Sequence, residues 1–239
     1  MKNIAPFLVS VFVCSVSFAQ ERWIALQSND PSPKIEVSGD ASLIGETFSP
    51  ASTFKIILTW TALDEKVATL QTAYPCADEY VPASVPQPLK MRDAMRYSSN
   101  DYFVQLAKAL PAGSIERRLK LISWPPLGKM SDARAIVRGG DMKITIRQLH
   151  ALTRQIAFGE LPSTSKLKEA MNWESADPDA KIYAKTGTYD GAAWMTGFSE
   201  KGGHRRIVTI LYTYQPPVWQ AAREKSTKHF LELVTAFSR

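Results

Sequence analysis

Ser52 and Lys55 stand three residues apart in a Ser-Thr-Phe-Lys segment. On a helix this spacing puts both side chains on one face, with their Cβ atoms about 5–6 Å apart. A lysine held out of water can lose its proton and then accept one from the serine, which makes the serine a nucleophile for acyl transfer. The Ser-x-x-Lys pattern occurs three times, and only the Ser52 copy opens a strongly apolar segment. Two other copies, which begin at Ser163 and Ser165, lie in a polar stretch typical of a helix cap.

Ser98, Ser99 and Asn100 form a polar group between two segments with apolar helical periodicity. Polar residues at such a place often cap the helix that follows. The sequence therefore allows two interpretations of this group, a structural cap or part of a catalytic centre.

Lys185, Thr186, Gly187 and Thr188 stand at the end of a predicted strand. A glycine here allows another group to approach the backbone, the hydroxyls can bind a carboxylate, and the lysine supplies positive charge. An edge strand that carries a lysine and ends at a glycine would show the same residues without any chemistry.

In this order, S-x-x-K, S-x-N and K-T-G are the motifs of the penicillin-binding proteins and serine β-lactamases. Three longer segments resemble class D β-lactamases in particular: FSPASTFKI around Ser52, PLKMRDAMRYSSNDYFVQL around Ser98, and AWMTGF after Lys185. The likeness runs from about Phe48 to near the C-terminus. It implies a β-lactamase/transpeptidase-like fold.

The resemblance also implies a role for each motif residue. Ser52 would attack the carbonyl with Lys55 as general base, and Ser98 would pass a proton to the leaving nitrogen beside Lys185. The backbone N–H groups of Ser52 and Thr188 would form the oxyanion hole. The implied substrate-binding residues are Asn100, Thr186, Gly187, Thr188 and Arg223. Of these, Thr186, Thr188 and Arg223 would hold the substrate carboxylate, with an exposed helical arginine as the alternative for Arg223.

Three departures from the class D pattern concern the carboxylated lysine that this class uses to release its acyl group. Polar Asn100 stands where the class usually has an apolar residue, Ser-Trp-Pro-Pro-Leu replaces the expected Tyr-Gly-Asn segment, and Val137 replaces the tryptophan that covers the carbamate. We therefore expect no cofactor, with a CO2-derived carbamate on Lys55 as the alternative.

The composition excludes several other classes of protein. Of 239 residues, 45% are hydrophobic and 22% are charged, as is ordinary for a globular protein. Two cysteines exclude a disulfide-stapled miniprotein, and three scattered histidines predict no metal site. The basic excess of 29 minus 23, or +6, is spread along the chain and indicates no nucleic-acid partner.

The N-terminus has the pattern of a secretory signal peptide. Lys2 precedes an apolar run that ends at Cys14, and Ser17 and Ala19 match a small-x-small cleavage signal. We expect a signal peptide at 1–19 and a transpeptidase-like domain at 20–239, exported to the periplasm. No later segment is long and apolar enough to span a bilayer, so we expect no stable membrane insertion after cleavage.

The elements that must position these motifs change type along the chain. Strands are expected at 22–27, 34–37, 181–185, 193–199 and 206–214. Helices are expected at 53–66, 89–97, 101–110, 115–122, 145–158 and 220–237. This order predicts an α+β protein with an antiparallel sheet that uses both ends of the chain, flanked by helices, with a helical subdomain inserted.

These observations lead to a functional hypothesis, a class D-type serine β-lactamase that acts through an acyl-enzyme on Ser52. The first alternative is a peptidoglycan D,D-peptidase or transpeptidase that β-lactams acylate and that releases the acyl group slowly. The second is a non-enzymatic β-lactam sensor or binding protein. The expected partners are accordingly β-lactams or peptidoglycan stem peptides.

Overall fold

Six strands form one antiparallel sheet to which both ends of the described chain contribute. The structure, a computed structural model, describes residues 21–30 and 34–236. The strand order across the sheet is β2-β1-β8-β7-β6-β5. Their bounds are β1 Trp23–Asn29, β2 Glu36–Gly39, β5 Asn172–Trp173, β6 Lys181–Tyr189, β7 Ala192–Lys201 and β8 His204–Thr213. A separate two-stranded sheet pairs β3 Ala73–Tyr74 with β4 Leu89–Lys90.

Two tight turns set the register of the long strands. Asp190 and Gly191 connect β6 to β7, and Gly202 and Gly203 connect β7 to β8; all four have positive φ. Two-residue hairpin turns with positive φ at both positions match the right-handed twist of the strands they join. These turns therefore hold β6, β7 and β8 in continuous antiparallel pairing.

Six helices lie between β2 and β5 in the chain, and a seventh follows β8. Their bounds are α1 Lys55–Asp64, α2 Met91–Tyr97, α3 Asn100–Lys108, α4 Ser114–Leu121, α5 Ile146–Phe158, α6 Thr164–Ala170 and α7 Trp219–Thr235. Helix α1 is the central one, because nine consecutive residues from Lys55 to Leu63 are buried. A helix that is buried on every side belongs inside a core.

The sheet separates two apolar layers, because successive side chains of a strand point to opposite faces. One face packs Met195, Val208 and Ile210 against Phe230 and Val234 of α7. The other face packs residues such as Trp194, Phe198, Ile207 and Leu211 into the large core that contains α1 and α5. The predicted fold class, an antiparallel sheet flanked by helices with a helical subdomain inserted, is confirmed.

Several predicted element ends were wrong. The first helix begins at Lys55 rather than at residue 53, because a 3-10 turn, Ala51–Phe54, precedes it. The second strand lies at Glu36–Gly39 rather than at 34–37. Helix α6 forms in the stretch that the sequence had suggested only as a helix cap.

Among the residues that the structure describes, no helix is long and apolar enough to cross a membrane. The predicted signal peptide lies outside the described residues.

A chain of buried polar groups crosses the interface between α5 and the sheet. His150 is fully buried, with Nε2 3.1 Å from Ser28 Oγ and Nδ1 3.1 Å from Thr209 Oγ1. Thr209 Oγ1 lies 2.7 Å from Thr196 Oγ1, which lies 2.7 Å from Thr153 Oγ1. Burial lowers the pKa of His150 to about 3, so this histidine is neutral at neutral pH.

Acid should destabilise the fold through His150. The unfolded chain takes up a proton near the ordinary histidine pKa of about 6.5, whereas the folded chain resists protonation, so stability falls as the pH drops below about 6.5. We expect a loss of about 2 kcal/mol in the free energy of unfolding between pH 7 and pH 5 from this group alone. Urea unfolding at both pH values measures it.

His150→Gln should be less stable at pH 7 but should lose less stability on going to pH 5. His204→Gln, at the exposed first residue of β8, is the matched control and should keep the wild-type pH dependence. An unchanged pH dependence in His150→Gln would contradict the prediction.

Candidate active site

Ser52 lies in the 3-10 turn immediately before α1 and lines a cleft of about 370 Å³. The turn is fixed on both sides. Thr53 Oγ1 donates to Pro50 O at 2.5 Å, and Trp194 Nε1 of β7 donates to Ser49 O at 2.8 Å. Ala51, just before the serine, has φ +49, a left-handed conformation that is uncommon for a residue with a side chain. Such strained positions persist only where the surroundings impose them, and they cluster at functional sites.

The Lys55 ammonium lies at the buried first turn of α1, among three acceptors. Its Nζ donates to Ser98 O at 2.5 Å, to Asn100 Oδ1 at 2.8 Å and to Ser98 Oγ at 3.2 Å. Lys55 is fully buried, and the Ser52 hydroxyl has no hydrogen-bond partner among the described residues. The lysine is therefore held by the second motif rather than by the serine three residues before it.

Ser98 lies between two lysines. It ends α2 in the left-handed conformation, with φ +60 and ψ +37. Lys185 Nζ donates to Ser98 Oγ at 2.8 Å, so the hydroxyl accepts from Lys185 and from Lys55. Because both neighbours donate, the hydroxyl proton is free to point into the cleft, which Ser98 also lines.

Ser99 confirms the capping interpretation of the second motif. Its neighbours Ser98 and Asn100 contact Lys55. The Ser99 hydroxyl accepts a hydrogen bond from the backbone N–H of Tyr102 at 3.1 Å, which makes Ser99 the N-cap of α3. The group of polar residues is thus both a cap and a part of the site.

The alternation of β6 sends neighbouring motif residues to different faces of the sheet. Lys185 points toward the helical subdomain, where its Nζ meets Ser98, and Thr186 lines the cleft beside Arg223. Beyond its short pairing with β5 and the hydrogen bond from Ala184 N–H to Met171 O at 2.9 Å, this side of β6 has no strand partner among the described residues. Backbone groups along that edge are available to a ligand.

Gly187 lets this edge approach the nucleophile. A Cβ atom at Gly187 would lie 2.9 Å from the backbone N and from Cγ2 of Thr53, and 3.0 Å from Pro50 O. Any side chain would push β6 away from the Ser52 turn. The sequence had predicted a close approach to the backbone here, and the group that approaches is the nucleophile turn itself.

Burial lowers the pKa of both lysines, and nearby positive charge adds to the effect. Desolvation is the larger cause for each; it lowers the pKa of Lys55 to about 7, with the charge of Arg223 acting in the same direction. The pKa of Lys185 falls well below its ordinary value through desolvation and through the charges of Lys55 and Arg223. A substantial fraction of Lys55 is therefore a neutral amine near pH 7, and such a group can accept a proton.

Asp78 is a positioning residue that the sequence analysis missed. Its buried carboxylate accepts hydrogen bonds from the hydroxyl of Ser99 and from the backbone N–H groups of Asn100 and Asp101, at 3.0 Å and 3.1 Å. It thereby fixes the turn that presents Ser98 and Asn100 to Lys55. Its negative charge also opposes the fall in the pKa of Lys55. No motif marks Asp78, because only folding brings its loop behind the second motif.

Arg223 lies on the first turns of α7 and lines the cleft near Thr186. Its guanidinium forms no ion pair with a described residue, and burial lowers its pKa. Thr188 Oγ1, on the same edge, is buried without a hydrogen-bond partner in the described chain. An unpaired guanidinium beside free hydroxyls is suited to binding a carboxylate.

The remaining cleft residues were not predicted. Aromatic and arginine side chains complete the walls: Tyr80, Arg134, Arg138, Tyr189, Tyr214 and Trp219. They come from loops, from an element end and from the start of α7, where no periodicity or motif marks them. Val137, at the position expected for the carbamate-covering tryptophan, also lines the cleft and is buried.

Comparison with known proteins gives two positive results. Residues 21–123 match the penicillin-binding protein transpeptidase domain family. Solved structures of class D β-lactamases have the same fold, including the BAT-2 delta mutant, with a TM-score of 0.74 and 18% identity over 92% of this chain and 94% of that one. YbXI from Nostoc gives a TM-score of 0.74 and 21% identity over 91% of this chain and 95% of that one. FUS-1 (OXA-85) from Fusobacterium nucleatum subsp. polymorphum gives a TM-score of 0.73 and 17% identity over 91% of this chain and 94% of that one.

No curated protein has a sequence that matches this chain. The fold is that of the β-lactamase and transpeptidase enzymes. The transpeptidase-domain match covers the part of the chain that contains Ser52, Lys55 and Ser98.

Removal of the Asp78 charge should lower the pKa of Lys55. In Asp78→Asn the amide still accepts the backbone hydrogen bonds, but the negative charge that favours the ammonium is gone. NMR titration of the Lys55 side-chain nitrogen measures the shift. Asp101→Asn is the matched control, because Asp101 is a neighbouring carboxylate that does not contribute to the Lys55 pKa. A pKa of Lys55 that is unchanged or higher in Asp78→Asn would show that this electrostatic coupling is absent.

Proposed function

We propose that this protein is a serine hydrolase of the class D β-lactamase type, which opens β-lactam amide bonds through an acyl-enzyme on Ser52. The observation that carries the proposal is the placement of Ser98 Oγ 3.2 Å from Lys55 Nζ and 2.8 Å from Lys185 Nζ, beside the cleft that contains Ser52. This arrangement supports acyl transfer to Ser52, with Lys55 as base, Ser98 as proton relay and Lys185 as cation.

In this proposal, neutral Lys55 accepts the proton of Ser52 as Ser52 attacks the carbonyl. Loss of its own proton removes one of the hydrogen bonds that Lys55 donates, and the free lone pair can then turn toward Ser52. The hydroxyl of Ser98 donates a proton to the departing nitrogen and is replenished from the lysines beside it. The N–H donors of Lys185 and the positive charge of Arg223 favour the anionic tetrahedral intermediate.

The substrate carboxylate would bind at the far end of the motif strand. Thr186 and Thr188 supply hydroxyls and Arg223 supplies the cation. The backbone N–H groups of Ser52 and Thr188 would form the oxyanion hole, which Gly187 brings together by allowing β6 to approach the nucleophile turn. These role assignments follow the motif resemblance, and the described geometry supports them.

A carbamate on Lys55 does not fit the contacts of that nitrogen. An ammonium has three N–H donors, and Lys55 Nζ has three acceptors, two of them the Ser98 carbonyl and the Asn100 amide oxygen. A carbamate nitrogen keeps one N–H and adds two anionic oxygens, which would face those acceptors without donors between them. We therefore propose that Lys55 works as an uncarboxylated amine and that acyl release is slow.

A second candidate function is a peptidoglycan D,D-peptidase or transpeptidase. The 2.8 Å hydrogen bond from Lys55 to Asn100 favours it, because this contact stabilises the plain amine that such an enzyme uses. Stem peptides would then be the physiological acyl donors, and β-lactams would act as slowly released substrates. Under both candidates we propose an exported enzyme that works in the periplasm.

Labelling with a fluorescent penicillin tests acylation. We expect residues 20–239 to form a stable covalent adduct, because Ser52 and its base are in place. Ser52→Ala should take up no label, and Lys55→Ala should react about 100-fold more slowly or worse, since proton transfer of this kind contributes 10²–10⁴-fold. A wild-type protein that takes up no label would contradict the proposed function.

Hydrolysis of a chromogenic cephalosporin, with and without added bicarbonate, tests acyl release. We expect slow turnover that bicarbonate does not stimulate, because the donors of Lys55 are already satisfied. Asn100→Val, which removes one acceptor and makes the pocket less polar, is the comparison in which bicarbonate should have the larger effect. Fast, bicarbonate-dependent wild-type turnover would overturn the uncarboxylated-amine proposal. Labelling without turnover, together with release of D-Ala from a peptide, would favour the peptidase; without that release it would favour a sensor.

A further inference from the structure

The cleft has a cationic group at each end, and only one of them has a role in the mechanism above. Arg223 lies at the Thr186 end of β6, and Arg138 lies at the Tyr189 end. The two ends are three residues apart along the strand, which corresponds to about 10 Å. A ligand that lies along this edge with its carboxylate at Arg223 therefore extends toward Arg138 with its acyl side.

Arg138 is held in place before any ligand binds. Its guanidinium stacks on the ring of Tyr189, 4.6 Å from the ring centroid. One terminal nitrogen, Nη2, donates to Ser131 Oγ at 3.1 Å and lies 3.6 Å from Asp132 Oδ2. The side chain lines the cleft and is only 18% exposed, so it can bind a ligand there at little entropic cost.

The other charged groups at this end are already paired. Arg134 lies 3.1 Å from Asp101 and its side chain is 63% exposed, whereas Asp190, the acidic group of the cleft wall, lies 2.5 Å from Lys143. Because Lys143 compensates Asp190, and the Asp132 contact occupies a single edge of the Arg138 guanidinium, this end of the cleft favours an anion.

We infer that Arg138 forms a subsite for a carboxylate on the acyl side of the substrate, across Ser52 from the carboxylate bound by Arg223. The inference rests on the proposed acylation of Ser52. It specifies the substrate class as dianionic acyl donors, either β-lactams or peptides, with one carboxylate at each end of the reacting amide.

Carbenicillin and benzylpenicillin test this inference, because they differ by one carboxylate on the acyl side chain. The measurement is the second-order rate constant of Ser52 acylation by each, obtained by competition with a fluorescent penicillin. We expect the ratio of the carbenicillin to the benzylpenicillin rate constant to fall about tenfold in Arg138→Gln, as a charge-assisted hydrogen bond is lost. Arg138→Lys, which keeps the charge but not the fork, should give an intermediate ratio.

Tyr189→Leu provides an independent variant, because it removes the ring that orients Arg138 and should also lower the ratio. Arg147→Gln makes the same charge change at an exposed position on α5, outside the cleft, and should leave the ratio as in the wild type. A ratio that changes less than about twofold in Arg138→Gln and Tyr189→Leu, or falls equally in Arg147→Gln, would overturn the subsite. Failure of both penicillins to acylate the wild type would instead overturn the proposed function, and the subsite with it.

Discussion

The burial of two lysine side chains around one serine hydroxyl is the constraint on which the rest of this site depends. Lys55 and Lys185 are held out of water, and both donate to Ser98 Oγ. Burial in a low-dielectric interior disfavours the charged form of both lysines, and the pKa of each is lowered. The same arrangement that costs stability supplies a neutral amine for proton abstraction and positive potential for a developing oxyanion.

The surrounding structure holds this arrangement in place. Helix α1, buried on every side, fixes the backbone of Lys55, and β6, in the middle of its hairpin with β7, fixes Lys185. Ser98 adopts a left-handed conformation that its loop would not favour alone. Asp78 compensates this strain by accepting three hydrogen bonds behind the turn. A serine between two lysines thus requires a helix, a strand and a buried carboxylate from three separate parts of the chain.

Most buried polar side chains of the described residues find a partner, although a few do not, among them Thr59, Ser114 and Gln155. The neutral His150 chain satisfies hydroxyls of α5, β7 and β8 among themselves, far from the cleft. At the cleft, by contrast, Thr188 Oγ1 has no partner and Arg223 no counter-ion among the described residues. Because Thr188 and Arg223 both line the cleft, a bound ligand could satisfy both groups.

The sequence by itself determined which residues could do chemistry, because Ser52/Lys55, Ser98 and Lys185 occur in motifs whose spacing is local and readable. It also determined the fold class, since the periodicity of strands at both ends and helices between them needs no knowledge of contacts. It could not determine that Lys55 donates to both oxygens of Ser98 rather than to Ser52, nor that Asp78 and Arg138 belong to the site. Those relationships join residues that are distant in sequence, and only packing of the loops against α1 and β6 brings them within hydrogen-bond distance.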